Sequence, residues 1–211
     1  MESMPDRKRK NIAGETLYLY APLAHRLGLY AVKSELEDLS LKYTDPVVYN
    51  TILQKLQQTE TERSRFIQQF IFPIKKALTE KGLTFVIDSR EKSIYSINNK
   101  MMAKDVPFEE VYDLFAIRII LDVPPEEEEL KCWDVYTTVT HIYRPKPNRL
   151  RDWISTPKTN GYESLHTTVV SGSGKFVEIQ IRSRRMHEIA ERGYAAHWKY
   201  KQQKDTEDVV S

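Results

Sequence analysis

With 211 residues, 40% hydrophobic and 29% charged, the chain is long enough to bury a core and fits one or two globular domains, not a disordered or fibrous protein. A net charge of +2 is too small to argue for nucleic acid, and no apolar run approaches the roughly 18 residues of a membrane span. The single cysteine, Cys132, rules out an internal disulfide framework, reads as a small buried residue beside Trp133, and fits a reducing cytoplasm. The basic start MESMPDRKRK has no apolar segment after it, so it is not expected to be a secretory signal.

Residues 11–44 carry helical periodicity: Leu17, Tyr20, Ala24 and Leu27 share one face, and VKSELEDLSLKY continues after Gly28. Pro46 opens a second helical stretch to about Glu80, with a kink expected near Pro73 and a stop at Lys81-Gly82. Then the period changes. LTFVID reads as a strand, SIYSINNKMMAK as a helix, VYDLFAIRIILDV as a central strand and ELKCWDVYTTVTHIY as a helix. The acidic run Glu126–Glu129, after Pro124-Pro125, reads as a solvated loop. SLHTTVVSGSGKFVEIQIRS is a β-hairpin across Ser-Gly-Ser-Gly, and RRMHEIAERGYAAHWKY closes as an amphipathic helix. Helices come first, then a mixed α/β core from about residue 82, without internal repeats.

Four stretches carry chemistry. In SREKSIYSINNK, Arg90 and Lys92 precede a helix on which Ser96 and Lys100 share a face. Cations and a hydroxyl near a helix N-terminus suit a polyphosphate, and a solvated basic helix face is the alternative. In VYDLFAIRII, Asp113 and Arg118 are the only charges of an apolar strand, which is costly unless they are paired or bind metal. Their odd separation sets them on opposite faces unless a bulge or strand end intervenes. FVEIQIRS puts Glu178, Gln180 and Arg182 on one face. If the two strands are neighbours, Asp113 and Glu178 could share Mg²⁺, and salt bridges to Arg118 and Arg182 are the alternative. Finally, DWISTPKTNGYESLH crowds Lys158, Asn160, Gly161, Tyr162 and His166 around one turn, a composition suited to a planar, charged ligand. From His141 to Lys201 there are 12 lysines and arginines against 5 aspartates and glutamates, which suits a site for phosphates, with a generic basic surface as the alternative. The five histidines have no zinc spacing, no His-Asp dipeptide occurs, and there is no Gly-rich phosphate loop of the G-x-x-x-x-G-K-[ST] type. His187 and His197 stand at helix ends with no role assigned.

Five blocks in order between about residues 88 and 201 resemble one family. They are SREKSIYSINNKM, YDLFAIRII, RLRDWISTPKTNGYESLHTTV, VEIQIRS and MHEIAERGYAAHWKYK. Together they are similar to the synthetase domain of the RelA/SpoT homologues, the stringent-response alarmone synthetases. ETLYLYAPLAHRLGLYAVKSELEDLSLKY further resembles the helical segment that follows the hydrolase domain of long, bifunctional Rel proteins.

The resemblance implies an α+β fold, a nucleotidyltransferase-like mixed β-sheet core flanked by helices and preceded by an N-terminal helical segment. It divides the chain into a helical part (1–81), a synthetase domain (82–203) and a disordered tail (204–211). The implied reaction transfers a diphosphate from ATP to the 3′-hydroxyl of GDP or GTP, yielding AMP and ppGpp or pppGpp. Arg90 and Arg118 would hold the adenine, with Lys92, Ser96 and Lys100 on the ATP phosphates. Asp113 and Glu178 would hold Mg²⁺, Glu178 being also the candidate base. Tyr162 would stack on guanine, with Lys158, Asn160, His166, Gln180, Arg151 and Ala190 around the acceptor nucleotide. An upstream hydrolase domain and downstream regulatory domains, through which any ribosome contact would run, are expected in the full-length protein. Neither membrane nor direct nucleic-acid binding is expected of this stretch.

Two local details refine the resemblance. Asp113 is followed by Leu114 and Phe115, so the pair of acidic residues two apart that RNA-extending nucleotidyltransferases show is absent. Arg149-Leu150-Arg151-Asp152 stands where bifunctional members show Arg-x-Lys-Asp; charge is kept, but arginine does not replace lysine neutrally at a phosphate. The reading from another function class is a catalytically silent nucleotide- or RNA-binding regulatory module, against which the retention of both Asp113 and Glu178 speaks.

Overall fold

The computed structural model describes residues 4–111 and 114–193. Asp113, His197, the C-terminal half of the expected closing helix and the expected tail 204–211 lie outside the described residues.

The N-terminal part is helical, as the periodicity predicts, in shorter pieces. Helix α1 (Asp6–Glu15) passes through a π-helical turn (Thr16–Tyr20) into α2 (Ala21–Arg26), and Gly28, at φ 74°, turns the chain into α3 (Tyr30–Thr44). The long stretch expected from Pro46 to Glu80 is two helices, α4 (Pro46–Gln58) and α5 (Glu60–Glu80). The break falls at Thr59, inside the polar run Gln57–Thr61 that offers no apolar anchor to hold a continuous face. Asp45 caps α4 by accepting from Val48 N at 3.1 Å, with Pro46 in the first turn where a missing N–H costs nothing. Helix α5 runs through Pro73.

The second part is a five-stranded mixed sheet: β1 (Phe85–Glu91), β2 (Phe115–Leu121), β3 (Arg151–Asp152), β4 (Leu165–Val170) and β5 (Phe176–Ser183), in spatial order β1-β2-β5-β4-β3. Only β2 and β5 are parallel; the other pairs are antiparallel. Helices α6 (Ile94–Lys104), α7 (Glu128–Ile142) and α8 (Arg184–Arg192) complete the fold. The β4–β5 hairpin turns at Ser171–Lys175, as expected, with Gly174 at φ 79°. The short edge strand β3 is an addition to the expected elements.

One sheet face is apolar. Ile117, Ile119 and Leu121 of β2, Ile179 and Ile181 of β5, and Leu165 and Val169 of β4 pack with Ile67, Phe70, Ile74 and Leu78 of α5 and Cys132, Val135 and Val139 of α7. Each fully buried Ile or Leu contributes on the order of 2 kcal/mol, so this layer is the main source of stability. Cys132 is buried in it, and burial pushes its thiol up to about 12, which keeps it unreactive at neutral pH. A smaller cluster, Leu41, Ile52, Leu56, Ile94, Ile97 and Phe108, fastens α3, α4 and α6 together.

The acidic run 126–129 is only partly a solvated loop. Glu128 starts α7 and is buried, accepting from Ser183 Oγ at 2.6 Å and pairing with Arg185 at 2.6 Å. Charge composition alone suggests solvent, but a carboxylate with two such partners is stable inside.

Candidate active site

The other sheet face is polar, and its composition follows from the register. Residues directly opposite in paired strands project to the same side. One row across the sheet is Arg90, Ala116, Glu178 and Thr168; the next is Asp88, Arg118, Gln180, His166 and Arg151. Arg182, two residues beyond Gln180, extends the same face. The alternation in FVEIQIRS is thus what gathers Glu178, Gln180 and Arg182, and the parallel β2–β5 pairing brings Arg118 beside them.

This face floors a cleft of about 680 Å³ walled by α3, α6, α8 and the 153–164 loop. Eleven of the fourteen predicted site residues line it: Arg90, Lys92, Ser96, Lys100, Arg118, Lys158, Tyr162, His166, Glu178, Gln180 and Ala190. Of the remaining three, Asp113 is outside the described residues. Arg151 lies exposed on the edge strand, opposite His166. Asn160 supports the wall: its Nδ2 donates to the Tyr30 hydroxyl at 3.0 Å and its Oδ1 accepts from Tyr162 N at 3.2 Å.

The 153–164 loop is shaped by its own polar groups. Asp152 Oδ1 accepts from Ile154 N and Ser155 N at 3.0 and 2.9 Å, and those bonds hold its carboxyl below the usual range even though burial opposes them. Gly161, at φ 76°, closes a tight turn in which Gly161 N donates to Lys158 O and Lys158 N to Tyr162 O. The turn aims Tyr162 inward, where only 8% of it is exposed. Its ring stands edge-on to Tyr30 at 5.8 Å and to His166 at 5.7 Å, while Lys158 Nζ lies 5.0 Å from its centroid and 4.9 Å from that of Trp153.

The electrostatics assign protons. Burial raises the Tyr162 phenol, so it stays protonated. Burial first, then the nearby Lys158, Arg182 and Arg118, lower His166 to about 4 against the opposing pull of Glu178. A neutral ring therefore accepts from the phenol, the Tyr162 oxygen and His166 Nε2 being 2.7 Å apart. The ring proton then sits on Nδ1, 4.0 Å from Glu178 Oε1. For Glu178, burial pushes its carboxyl up, but Lys92 at 3.2 Å and Gln180 at 3.0 Å outweigh it, and the carboxyl is held below the ordinary range. It is an ionised, oriented carboxylate at neutral pH. This argues against the alternative pairing of Glu178 with Arg182: both Arg182 and Arg118 turn to Glu191 instead.

At the other end, Ser93 caps α6 by accepting from Ser96 N at 3.2 Å. Asp38, from α3, accepts from Tyr95 N at 2.8 Å and Ile94 N at 3.3 Å. The first amides of α6 therefore have protein partners, and a phosphate there would meet the side chains of Lys92, Ser96 and Lys100 first. The α3 wall, with Tyr30, Lys33 and Asp38, and the pair Arg182–Glu191 were not among the expected site residues. Arg182 was visible in the period-2 pattern of its strand; the α3 contribution had no local signal.

The family described as "Region found in RelA / SpoT proteins" matches residues 89–205, more than half of the chain. The chain belongs to the RelA/SpoT family. Over 205 residues it is 41% identical to a guanosine-3′,5′-bis(diphosphate) 3′-pyrophosphohydrolase of Aquifex aeolicus, covering 97% of this chain and 29% of that protein. It is 40% identical over 204 residues to a GTP pyrophosphokinase of Myxococcus xanthus, covering 97% and 26% respectively. Against the bifunctional (p)ppGpp synthase/hydrolase SpoT of Escherichia coli K12 it is 40% identical over 202 residues, covering 96% and 28%. The chain thus spans less than a third of the length of these curated relatives. Among solved structures, the small alarmone synthetase 2 of Bacillus subtilis covers 74% of this chain and 81% of its own, with TM-score 0.44 and 24% identity. A GTP pyrophosphokinase family protein of Streptococcus pneumoniae covers 72% and 79%, with TM-score 0.46 and 20% identity. No helix among the described residues is long and apolar enough to cross a membrane.

Proposed function

We propose that this RelA/SpoT chain carries a (p)ppGpp synthetase site, transferring the diphosphate of ATP to the ribose 3′-hydroxyl of GDP or GTP. The observation that carries the reading is the convergence of predicted donor-side and acceptor-side residues in one cleft around an ionised Glu178. The donor side is Arg90 and Arg118 for the adenine and Lys92, Ser96 and Lys100 for the phosphates. The acceptor side is Tyr162 for guanine, with Lys158, Asn160, His166, Gln180, Arg151 and Ala190 around its sugar, phosphates and base. The catalytic unit is residues 82–203, braced by the helices before it.

The 3′-oxygen attacks the β-phosphorus of ATP, and the bond from that phosphorus to the α–β bridging oxygen breaks. AMP leaves with that oxygen, and the 3′-hydroxyl proton passes to the Glu178 carboxylate. Such a transfer needs in-line positioning and charge neutralisation more than covalent chemistry, so clustered cations around an oriented carboxylate suit it. Glu178 fits a hard cation because it is ionised and only partly paired; with Asp113 it would hold Mg²⁺, which supplies charge neutralisation on the transferred diphosphate.

The test is to incubate the chain with ATP, GDP and Mg²⁺ and quantify nucleotides by ion-exchange chromatography. AMP and ppGpp appearing in equal amounts is the expected result. A folded chain that binds both nucleotides but forms neither product would be the silent binding module instead. GDP and pyrophosphate released from added ppGpp, with no AMP made from ATP, would assign the hydrolytic activity that some relatives' names carry.

A further inference from the structure

Three guanidinium groups meet on the floor of the cleft. Arg118 and Arg182 are buried, 6% and 1% exposed, and Arg90 is half-buried beside them. Burial first, and then the neighbouring arginines, lower Arg90 and Arg182 from the ordinary guanidinium range. One carboxylate joins two of them. Glu191, in the last turn of α8, places Oε1 3.0 Å from Arg118 Nη1 and 3.5 Å from Arg182 Nη2. Both are ion-pair contacts, and Arg182 Nη2 has no hydrogen-bond partner among the described residues. The Nε groups of both arginines likewise have none. Buried guanidinium donors are rarely left this way, because each unmet N–H forfeits its hydration.

These features fit a division of labour. Arg182 is immobilised by the sheet and the packing over it. Arg118 must present a flat π-face to a base, yet its side chain is long and rotatable. A carboxylate that engages the guanidinium edge fixes the plane while leaving the faces for stacking. Arg182 in turn holds the carboxylate in place. We propose that Glu191 is a positioning residue, which through its bridge to Arg182 fixes the Arg118 plane for the adenine of the donor nucleotide. This rests on the donor-site reading above.

The experiment uses the 211-residue chain and α,β-methylene ATP, whose α–β bond cannot be cleaved. Calorimetry gives the affinities of this analogue and of GDP, and steady-state assays give both KM values and kcat. A disordered Arg118 plane should forfeit most of one cation–π stack, so Glu191→Gln should weaken analogue binding and raise the KM for ATP by about five- to tenfold. GDP affinity and kcat should stay within about twofold, and Glu191→Asp, which keeps the charge, should recover part of the loss; a merely structural residue would move both nucleotides together. Where Glu191→Gln folds poorly, as an unpaired buried arginine can cause, the double variant Glu191→Gln/Arg182→Met removes that charge and should show the same ATP-selective defect. Analogue affinity within twofold of wild type in a folded variant, or a parallel loss of GDP affinity, overturns the proposal. A wild-type chain that binds GDP but not the analogue overturns the donor-site reading, and the proposal falls with it.

Discussion

Replacing Tyr162 by Phe and by Ala separates its ring from its hydroxyl. The hydroxyl is hydrogen-bonded to His166 Nε2 at 2.7 Å. Its loss in Tyr162→Phe should lower stability by about 1 kcal/mol. The ring contacts with Tyr30, His166 and Lys158 survive that change, so acceptor binding should stay within about threefold. Tyr162→Ala removes the ring itself. A base stacked on an aromatic side chain is worth about 1–3 kcal/mol, which corresponds to roughly 5- to 150-fold in affinity. The lower end applies here, because the ring is only 8% exposed and a guanine must displace neighbours that already cover it. An aromatic–aromatic pair of that kind is itself worth about 0.5–1.5 kcal/mol. The expected result is therefore a five- to twentyfold rise in the KM for GDP, about 1–2 kcal/mol, with the KM for ATP unchanged within twofold. Stability should fall by about 2–4 kcal/mol, so the assays belong well below the variant's melting temperature. A Phe variant as damaged for GDP as the Ala variant would mean that the hydroxyl carries the contact. An Ala variant defective for ATP instead would place Tyr162 in the donor half.

Two predictions concern the frame around the site. A Cβ added at Gly193, at φ 71°, would lie 2.6 Å from the Leu27 backbone oxygen; Gly193→Ala should cost about 2–4 kcal/mol in urea unfolding through strain and displacement of the α2–α3 turn from α8, and an unchanged midpoint would refute that contact. His166 is lowered from 6.5 to about 4 in the folded chain. The unfolded chain therefore takes up the proton first, and stability should fall as pH drops from about 6.5 towards 4, by at most about 3 kcal/mol. In His166→Gln that slope should shrink, and an unaltered slope between pH 6.5 and 4.5 would show that other groups set the acid sensitivity.

What could be read in advance follows from how far each signal reaches along the chain. Strand alternation is local, so it sets Glu178, Gln180 and Arg182 on one face and marks the β4–β5 hairpin with its glycine turn, as the structure has them. The break at Thr59 escaped because helical propensity persists through Gln57–Thr61 even where no apolar face does. Glu128 escaped because a run of glutamates reads as solvated until Ser183 and Arg185, 55 and 57 residues on, supply partners. The α3 wall escaped for the same reason. Periodicity says that α3 has a buried side, but not that Asp38 caps a helix more than 50 residues later or that Tyr30 meets the Tyr162 loop.

The topology also explains why the proposed donor and acceptor residues are separated along the chain yet share one cleft. The parallel pair β2–β5 forms the middle of the sheet and sets Arg118 beside Gln180, and Ala116 beside Glu178. On one side, β1 pairs antiparallel with β2 and delivers Arg90, and the chain runs on at once into α6 with Ser96 and Lys100. On the other side, β4 pairs antiparallel with β5 and delivers His166, and the residues just before β4 form the loop that turns Tyr162 inward. Donor-side residues therefore come from the segment before the central pair closes, and acceptor-side residues from the segment that closes it. Glu178 sits at the seam, between Lys92 and His166. A carboxylate there faces both halves without either half having to move across the sheet, which is where a group that accepts a proton from one nucleotide while the other is cleaved has to stand.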